Sequence, residues 1–258
     1  MKPKKRLSPT RSESGKHVGI ARALSKLGFC SRARALDFLY KGEVRVNGST
    51  VRNPKSPVRL GKDRIEVAGK ALRAAERIYL ILNKPRGIVT TAADEKGRDT
   101  VYSLLPEDLR WVAPVGRLDR ASEGLLLFTN DSEWAARITD PESHLEKTYH
   151  VQIGAVADAR LLEALQHGVE MPNGEMLKAK RASLLRAGEK HSWLEIVLDE
   201  GKNRQIRRML DGLGAEVLRL VRVSIGPVPL GDLPKGAHRM LRSEEKSALD
   251  RVLSQAKH

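Results

Sequence analysis

The apolar positions of this chain keep two rhythms. Between residues 20 and 42 they recur at helical spacing. Ile20, Leu24 and Leu27 share one face of a short helix that Gly28 ends. Ser31 is placed to cap a second helix whose inner side is Ala35, Phe38 and Leu39. Arg32 and Arg34 fall on the outer side of that helix, and Gly42 closes it. The period then shortens to two. Val44-Arg45-Val46 alternates into Asn47-Gly48, a dipeptide that favours a tight hairpin turn, and the chain returns through Thr50-Val51. Ile65 and Val67 alternate with Arg64 and Glu66 up to Gly69. Two short helices and a small sheet over residues 19–70 predict a compact module. A flexible basic arm over 1–18 precedes it, and ALRAAER, residues 71–77, reads as a linker.

From residue 78 onward strands dominate. Ile78–Leu82, Trp111–Val115, Leu125–Thr129, Trp193–Leu198 and Val217–Ile225 are short apolar runs. Lys147–Ile153 alternates cleanly, with Tyr149, Val151 and Ile153 on one face and Thr148, His150 and Gln152 on the other. Helical patterns occupy Ser132–Ile138, Asp158–His167, a segment starting near Asn203, and a final stretch that Ser243 caps, with Glu244 and Glu245 in its first turn. Strands outnumber helices, and turns and loops join them. The expected fold class is α+β with a mixed, largely antiparallel sheet in one domain over 78–258.

Charge divides the chain at the same place. The formal net charge is +15, and residues 1–70 carry 18 Lys/Arg against 5 Asp/Glu, whereas the remainder carries 29 against 27. A basic module tied to a near-neutral body predicts a polyanion-binding element attached to a domain with another task. The plain alternative is a solubilising face. Cys30 is the single cysteine, so no internal disulfide forms and a reducing, cytoplasmic setting is expected. No apolar run approaches the ~20 residues of a membrane helix, and the arm has no apolar core of a secretory signal.

The histidines show no metal spacing, and no phosphate-binding glycine loop, dinucleotide fingerprint or nucleophile elbow occurs. No metal and no cofactor are expected. Side chains must then carry any chemistry, and charged clusters are the candidates. GRLDRASEGLLLFTND, Gly116–Asp131, sets Asp119 between Arg117 and Arg120 just before an apolar strand. EGKNRQIRRML, Glu200–Leu210, gives a buried stripe of Ile206, Met209, Leu210 and Leu213, with Arg204, Arg207 and Arg208 beside it. Arg207 directly follows a core residue, so its guanidinium is expected to be partly enclosed and to seek a carboxylate. Taken singly, each has a bland reading: a surface turn, a solvated basic face, a core tyrosine at Tyr149, a basic loop at Lys84-Pro85-Arg86-Gly87.

Taken together, LNKPRG, GRLDRASEGLLLFTND, EKTYHV and EGKNRQIRRM resemble, in order and spacing, the ribosomal RNA pseudouridine synthases of the RsuA/RluB type. Residues 19–70, with GFCSRARALDFLYKGEVRVNG, resemble the S4 RNA-binding domain, an αL-type module that often precedes such a catalytic domain. Ser122 stands where the family usually has Thr and Ser132 where Gly is common; both are small. The resemblance implies a catalytic cleft in which Asp119 is the catalytic aspartate, Tyr149 stacks on the target base, and Arg207 pairs with the aspartate. Lys84 and Pro85 match a motif that supports the active-site loop. Pseudouridine formation breaks the N1–C1′ bond of uridine and joins C5 to C1′ without redox change. It needs a nucleophile that forms a temporary covalent bond or stabilises the detached base, and the base must leave its stack.

The expectations are therefore an isomerase acting on a uridine of ribosomal RNA or a pre-ribosomal particle, with large-subunit RNA favoured, and a monomer with no membrane partner. Asp119, Tyr149 and Arg207 form its catalytic set. Arg22, Lys26, Arg32, Arg34, Arg45, Lys84, Arg117 and Arg204 are its RNA contacts. The rivals are a small-subunit enzyme, an enzyme of the same chemistry on transfer RNA, and a non-catalytic ribosome-assembly factor.

Overall fold

A computed structural model describes residues 17–72, 76–91, 97–109 and 111–255. The chain divides into two compact units, Met1–Glu76 and Arg77–His258. The expected arm lies outside the described residues except for His17 and Val18, which instead belong to the small unit.

In the small unit β1 (His17–Gly19) leads into α1 (Ile20–Lys26) and α2 (Arg32–Tyr40), followed by β2 (Val44–Val46), β3 (Ser49–Thr50), β4 (Pro57–Arg59), β5 (Ile65–Val67) and β6 (Lys70–Ala71). Ser31 caps α2, its hydroxyl accepting from the Arg34 amide at 3.2 Å. Asn47 and Gly48 both take positive φ, as the hairpin turn between β2 and β3 requires. The sheet runs β3-β2-β5-β6, and β1 pairs with β4. β1 forms because Val18 lies opposite Val58, which closes over a core of Ile20, Leu24, Leu39, Val44, Ile65 and Val67. β6 carries the hairpin into the stretch read as linker, where Ala71 pairs with Glu66.

The large unit contains β7 (Tyr79–Lys84), β8 (Ala113–Val115), β9 (Glu123–Thr129), α3 (Ser132–Thr139), β10 (Lys147–Ile153), α4 (Ala159–His167), β11 (Val169–Glu170), β12 (Met176–Leu177), β13 (Arg181–Ala187), β14 (Ser192–Leu198), α5 (Gln205–Gly212), β15 (Val217–Ile225), β16 (Val228–Pro229), β17 (His238–Met240) and α6 (Ser243–Gln255). Its nine-stranded sheet runs β13-β14-β10-β15-β9-β7-β17, with β8 on β9 and β16 on β15. Pairing is antiparallel throughout except between β15 and β9, so the sheet is mixed and largely antiparallel.

β9 is buried on both faces, which is why GLLLF shows no alternation. Leu125 and Leu127 pack with Trp134 and Ile138 of α3 and Leu249 and Leu253 of α6. Leu126 and Phe128 pack on the other face with Val101, Leu105 and Val112. Full burial of one such leucine stabilises by about 1.5–3 kcal/mol. The closing Thr-Asn-Asp of the strand is a structural clasp. Asp131 caps α3 through the amides of Glu133 and Trp134, at 3.2 and 3.1 Å, and forms an ion pair with Arg77. Asn130 accepts from the Ile78 amide at 2.8 Å.

Candidate active site

Between β8 and β9 the chain makes a turn in which the Ser122 amide donates to the Asp119 carbonyl at 3.0 Å. Its backbone is held from below. Lys84 is fully buried, and its Nζ donates to the carbonyls of Pro85, Asp119 and Ser122 at 3.1, 3.2 and 2.9 Å. Burial pushes this ammonium down to about 8, against the pull of Asp119 and Glu123. Lys84 was expected to contact RNA; the structure corrects that. Its three protons are engaged by three carbonyls, and none of it reaches solvent. The neighbouring turn adds two more ties. Gly87 and Arg120 exchange bonds at 2.8 and 3.1 Å, and Thr90 Oγ1 donates to Leu118 O at 2.8 Å.

With its main chain fixed, Asp119 presents its carboxylate to a cleft of roughly 650 Å³ within the large unit. Arg117, Tyr149, Arg204 and Arg207 line the same cleft, so the structure brings the expected set together. The expected ion pair is rearranged. Arg204 Nη1 lies 3.7 Å from Asp119 Oδ2, whereas Arg207 donates to Ala121 O at 3.0 Å and Val217 O at 3.4 Å. The helix begins at Gln205, and Arg204 precedes it with φ +50°, a left-handed conformation that swings it off the helical stripe. Arg208 turns to Glu175 at 2.7 Å. Burial lowers the proton affinity of Arg207, Arg204 and Arg86 add to the effect, and Asp119 opposes it. Its Nε is buried without a partner.

Tyr149 is half-buried, facing the core of Val151 and Ile153 on one side and the cleft on the other. It sits opposite Ile196 of β14 and Arg222 of β15. Two cleft residues escaped the sequence reading. Arg222 is 6% exposed, and its Nε donates to Leu125 O at 2.8 Å. The signal was available, because Leu220 and Arg222 share one face of β15. Lys147 lies two positions before Tyr149 in the alternating strand; burial and Arg222 push its ammonium down to about 8, with Asp199 opposing. Gly124, with φ +103°, lets β9 and β15 meet here: a Cβ would fall 2.3 Å from the Arg222 carbonyl oxygen.

The RNA-contact candidates of the small unit stand apart from this cleft in the chain. Arg22, Arg32, Arg34 and Arg45 are exposed, and Lys26 is half-buried. Among the described residues no group of three His, Cys, Asp or Glu side chains is placed to hold a metal, and no helix is long and apolar enough to cross a membrane.

The chain is similar to known proteins along most of its length. Residues 78–211 match the RNA pseudouridylate synthase family and residues 18–65 the S4 domain. The chain is 34% identical over 241 residues to the ribosomal large subunit pseudouridine synthase B of Bacillus subtilis (strain 168), covering 93% of this chain and 98% of that protein. It is 36% identical over 233 residues to an uncharacterized RNA pseudouridine synthase of Aquifex aeolicus (strain VF5), covering 90% and 93%. A crystal structure of a pseudouridylate synthase superposes with a TM-score of 0.64 at 28% identity, covering 90% of this chain and 99% of that one.

Proposed function

This chain belongs to the RNA pseudouridylate synthase family and carries an S4 domain, and from that premise we propose that it converts a uridine of large-subunit ribosomal RNA to pseudouridine with Asp119 as nucleophile. The observation that carries the reading is the carboxylate of Asp119, one-third exposed in a cleft of cations and 3.7 Å from Arg204. The Arg204 guanidinium sets a positive charge beside the carboxylate that acts at the sugar carbon. The target base leaves its stack and enters the cleft, with Tyr149 as the ring on which it rests. The Asp119 carboxylate bonds to C1′ as the N1–C1′ bond breaks, C5 of the turned base displaces that carboxylate in bonding to C1′, the C5 proton departs and N1 takes up a proton. The Bacillus subtilis relative's stated substrate supports the large-subunit choice. The exposed arginines of the small unit hold neighbouring RNA by its phosphates.

Asp119→Asn tests the assignment. Tritium release from C5-labelled uridine in large- and small-subunit transcripts is expected to fall by at least about a thousandfold. RNA affinity changes by less than about tenfold. A variant as active as the parent removes Asp119 from the chemistry, and release confined to the small-subunit transcript reverses the choice of subunit.

A further inference from the structure

Two cations that line the cleft, Lys147 and Arg222, form no ion pair with a described residue. Arg222 is 6% exposed, yet its Nη2 is cut off from solvent and has no hydrogen-bond partner. The half-buried Lys147 ammonium makes no hydrogen bond or ion pair with a described residue, and Asp199 acts on it only at longer range. The carboxylates of the cleft are engaged elsewhere. Asp119 faces Arg204 at 3.7 Å, Glu200 holds Gln205 at 2.5 Å and Lys202 at 3.4 Å, and Asp140 accepts from the Glu142 amide at 3.1 Å. Leaving a buried donor unsatisfied is costly, and a buried unpaired charge more so. An enzyme that tolerates both in its cleft has them ready for something the substrate supplies.

The position indicates what that is. Arg222 lies opposite Tyr149 in the sheet, and Lys147 precedes Tyr149 by two residues on the same strand. The cations suited to phosphate are different ones: Arg117 and Lys202 are exposed, and Arg204 is half exposed at the rim. A base resting on Tyr149 would turn its carbonyl edge toward Lys147 and Arg222. When N1–C1′ breaks, both bonding electrons stay with the uracil, which becomes an anion delocalised over its ring nitrogens and carbonyl oxygens. We propose that Lys147 and Arg222 form a cationic floor in which Lys147 takes a carbonyl oxygen of the target uracil and the enclosed Arg222 adds its charge, the two bearing the charge of the base once it is detached. This rests on the isomerase reading above and adds to it one catalytic residue, Lys147, and the cation that reinforces it. Fixed donors aimed at charge that develops during the reaction accelerate it more than they strengthen ground-state binding. Burial first, and then Arg222, lower the proton affinity of Lys147, and Asp199 opposes them.

The full-length chain is assayed for tritium release with Lys147→Met and Lys147→Arg, with Asp119→Asn as the inactive control. Lys147→Met should lower kcat by about a hundredfold while KM stays within about threefold, and Lys147→Arg should recover at least about tenfold of the loss. An unchanged kcat, or a loss confined to KM as for a phosphate contact, overturns the inference while leaving the isomerase reading intact. A second measurement needs no RNA. 5-Nitrouracil, an acidic uracil that is anionic at neutral pH, is titrated into the protein beside neutral uracil. The wild type should prefer the anion by at least about tenfold, and Lys147→Met should erase that preference. No preference in the wild type, or the same preference in both proteins, overturns the floor even if neither transcript proves to be the substrate.

Discussion

Arg32 and Arg34 of α2 stand in solvent, whereas Arg222 of β15 is buried with one nitrogen unpartnered and Arg207 of α5 is half-buried with another. Both units use arginine, under opposite electrostatic conditions. Exposed charges act through water and are screened beyond about 8–10 Å at ordinary salt. They can gather a polyanion but cannot discriminate one atom of it. Cations inside the large unit work where screening is weak, so a small displacement or a changed shape matters. The exposed arginines of the small unit are suited to gathering a polyanion, and the enclosed ones of the large unit to acting on a single group within it.

The enclosed side is where the largest effect is expected. Arg207→Ala should lower the single-turnover rate by about a hundredfold, the order seen for removal of one positioned electrostatic group. Its fork ties Ala121, in the turn that carries Asp119, to Val217 at the start of β15. Arg207→Lys should restore only part, because a point charge supplies the field but not two directed donors. Arg208→Ala, which loses only a bond to Glu175, should be milder. A harmless Arg207→Ala would erase the contrast, making the enclosed arginine no more consequential than a surface one.

The displayed side should respond differently. Arg32→Gln/Arg34→Gln is expected to flatten the dependence of log affinity on log salt by about one to two units. The rate from the bound complex should stay within about twofold, since neither side chain belongs to the cleft. Binding titrated at several salt concentrations, with single-turnover rates at saturation, checks both halves. An unchanged salt slope would show that these arginines do not grip phosphate.

Where charge ends up also explains what the sequence disclosed. β10 matches its alternation because Val151 and Ile153 turn inward from one face, and β15 occupies the apolar run read over the same residues. β13 was missed since RASLLRA exposes Leu184 and Leu185 at the sheet edge, which leaves no period to read. β4 and β17 are too short to show a period and exist only through their partners, Val58 against Val18 and the run His238–Met240 against β7. Within the site, Asp119, Tyr149 and Arg207 were legible as members of motifs. Lys84 supplies the loop support its motif implied, but as an RNA contact it misled because a lysine defaults to solvent. Arg204 misled because a left-handed residue at a helix start leaves no mark in composition. Both errors concern backbone carbonyls and dihedrals, which side-chain identity encodes weakly.

The smallest effect expected concerns stability, and it asks whether enclosed charge in the large unit persists in conditions that defeat displayed charge. Glu245, in the first turn of α6, accepts from both Arg239 Nη atoms at 2.7 Å, from Arg242 Nη2 at 2.8 Å and from the Arg242 amide at 2.9 Å. The bonds from Arg239 chiefly, with those from Arg242, outweigh burial and hold its carboxyl down to about 2. An unfolded glutamate titrates near 4.3, so the folded state binds this proton less readily. The contribution is therefore complete above about pH 5 and disappears as pH falls through about 4 toward 2. With Arg242 largely exposed, about 1–2 kcal/mol is a reasonable size, or roughly 3–6 °C in the Tm of a unit this large. Glu245→Gln should lower the Tm by that amount at pH 7 and converge with the wild type in acid. The difference between the two proteins isolates this group from other acidic pairs such as Asp131 with Arg77. At 0.5 M salt more than half of the difference should remain, because a close, mostly buried pair is poorly screened, while RNA affinity falls steeply over the same range. A Tm difference that disappears with added salt would place Glu245 among the displayed charges, and a pH profile identical in both proteins would remove it from the acid response.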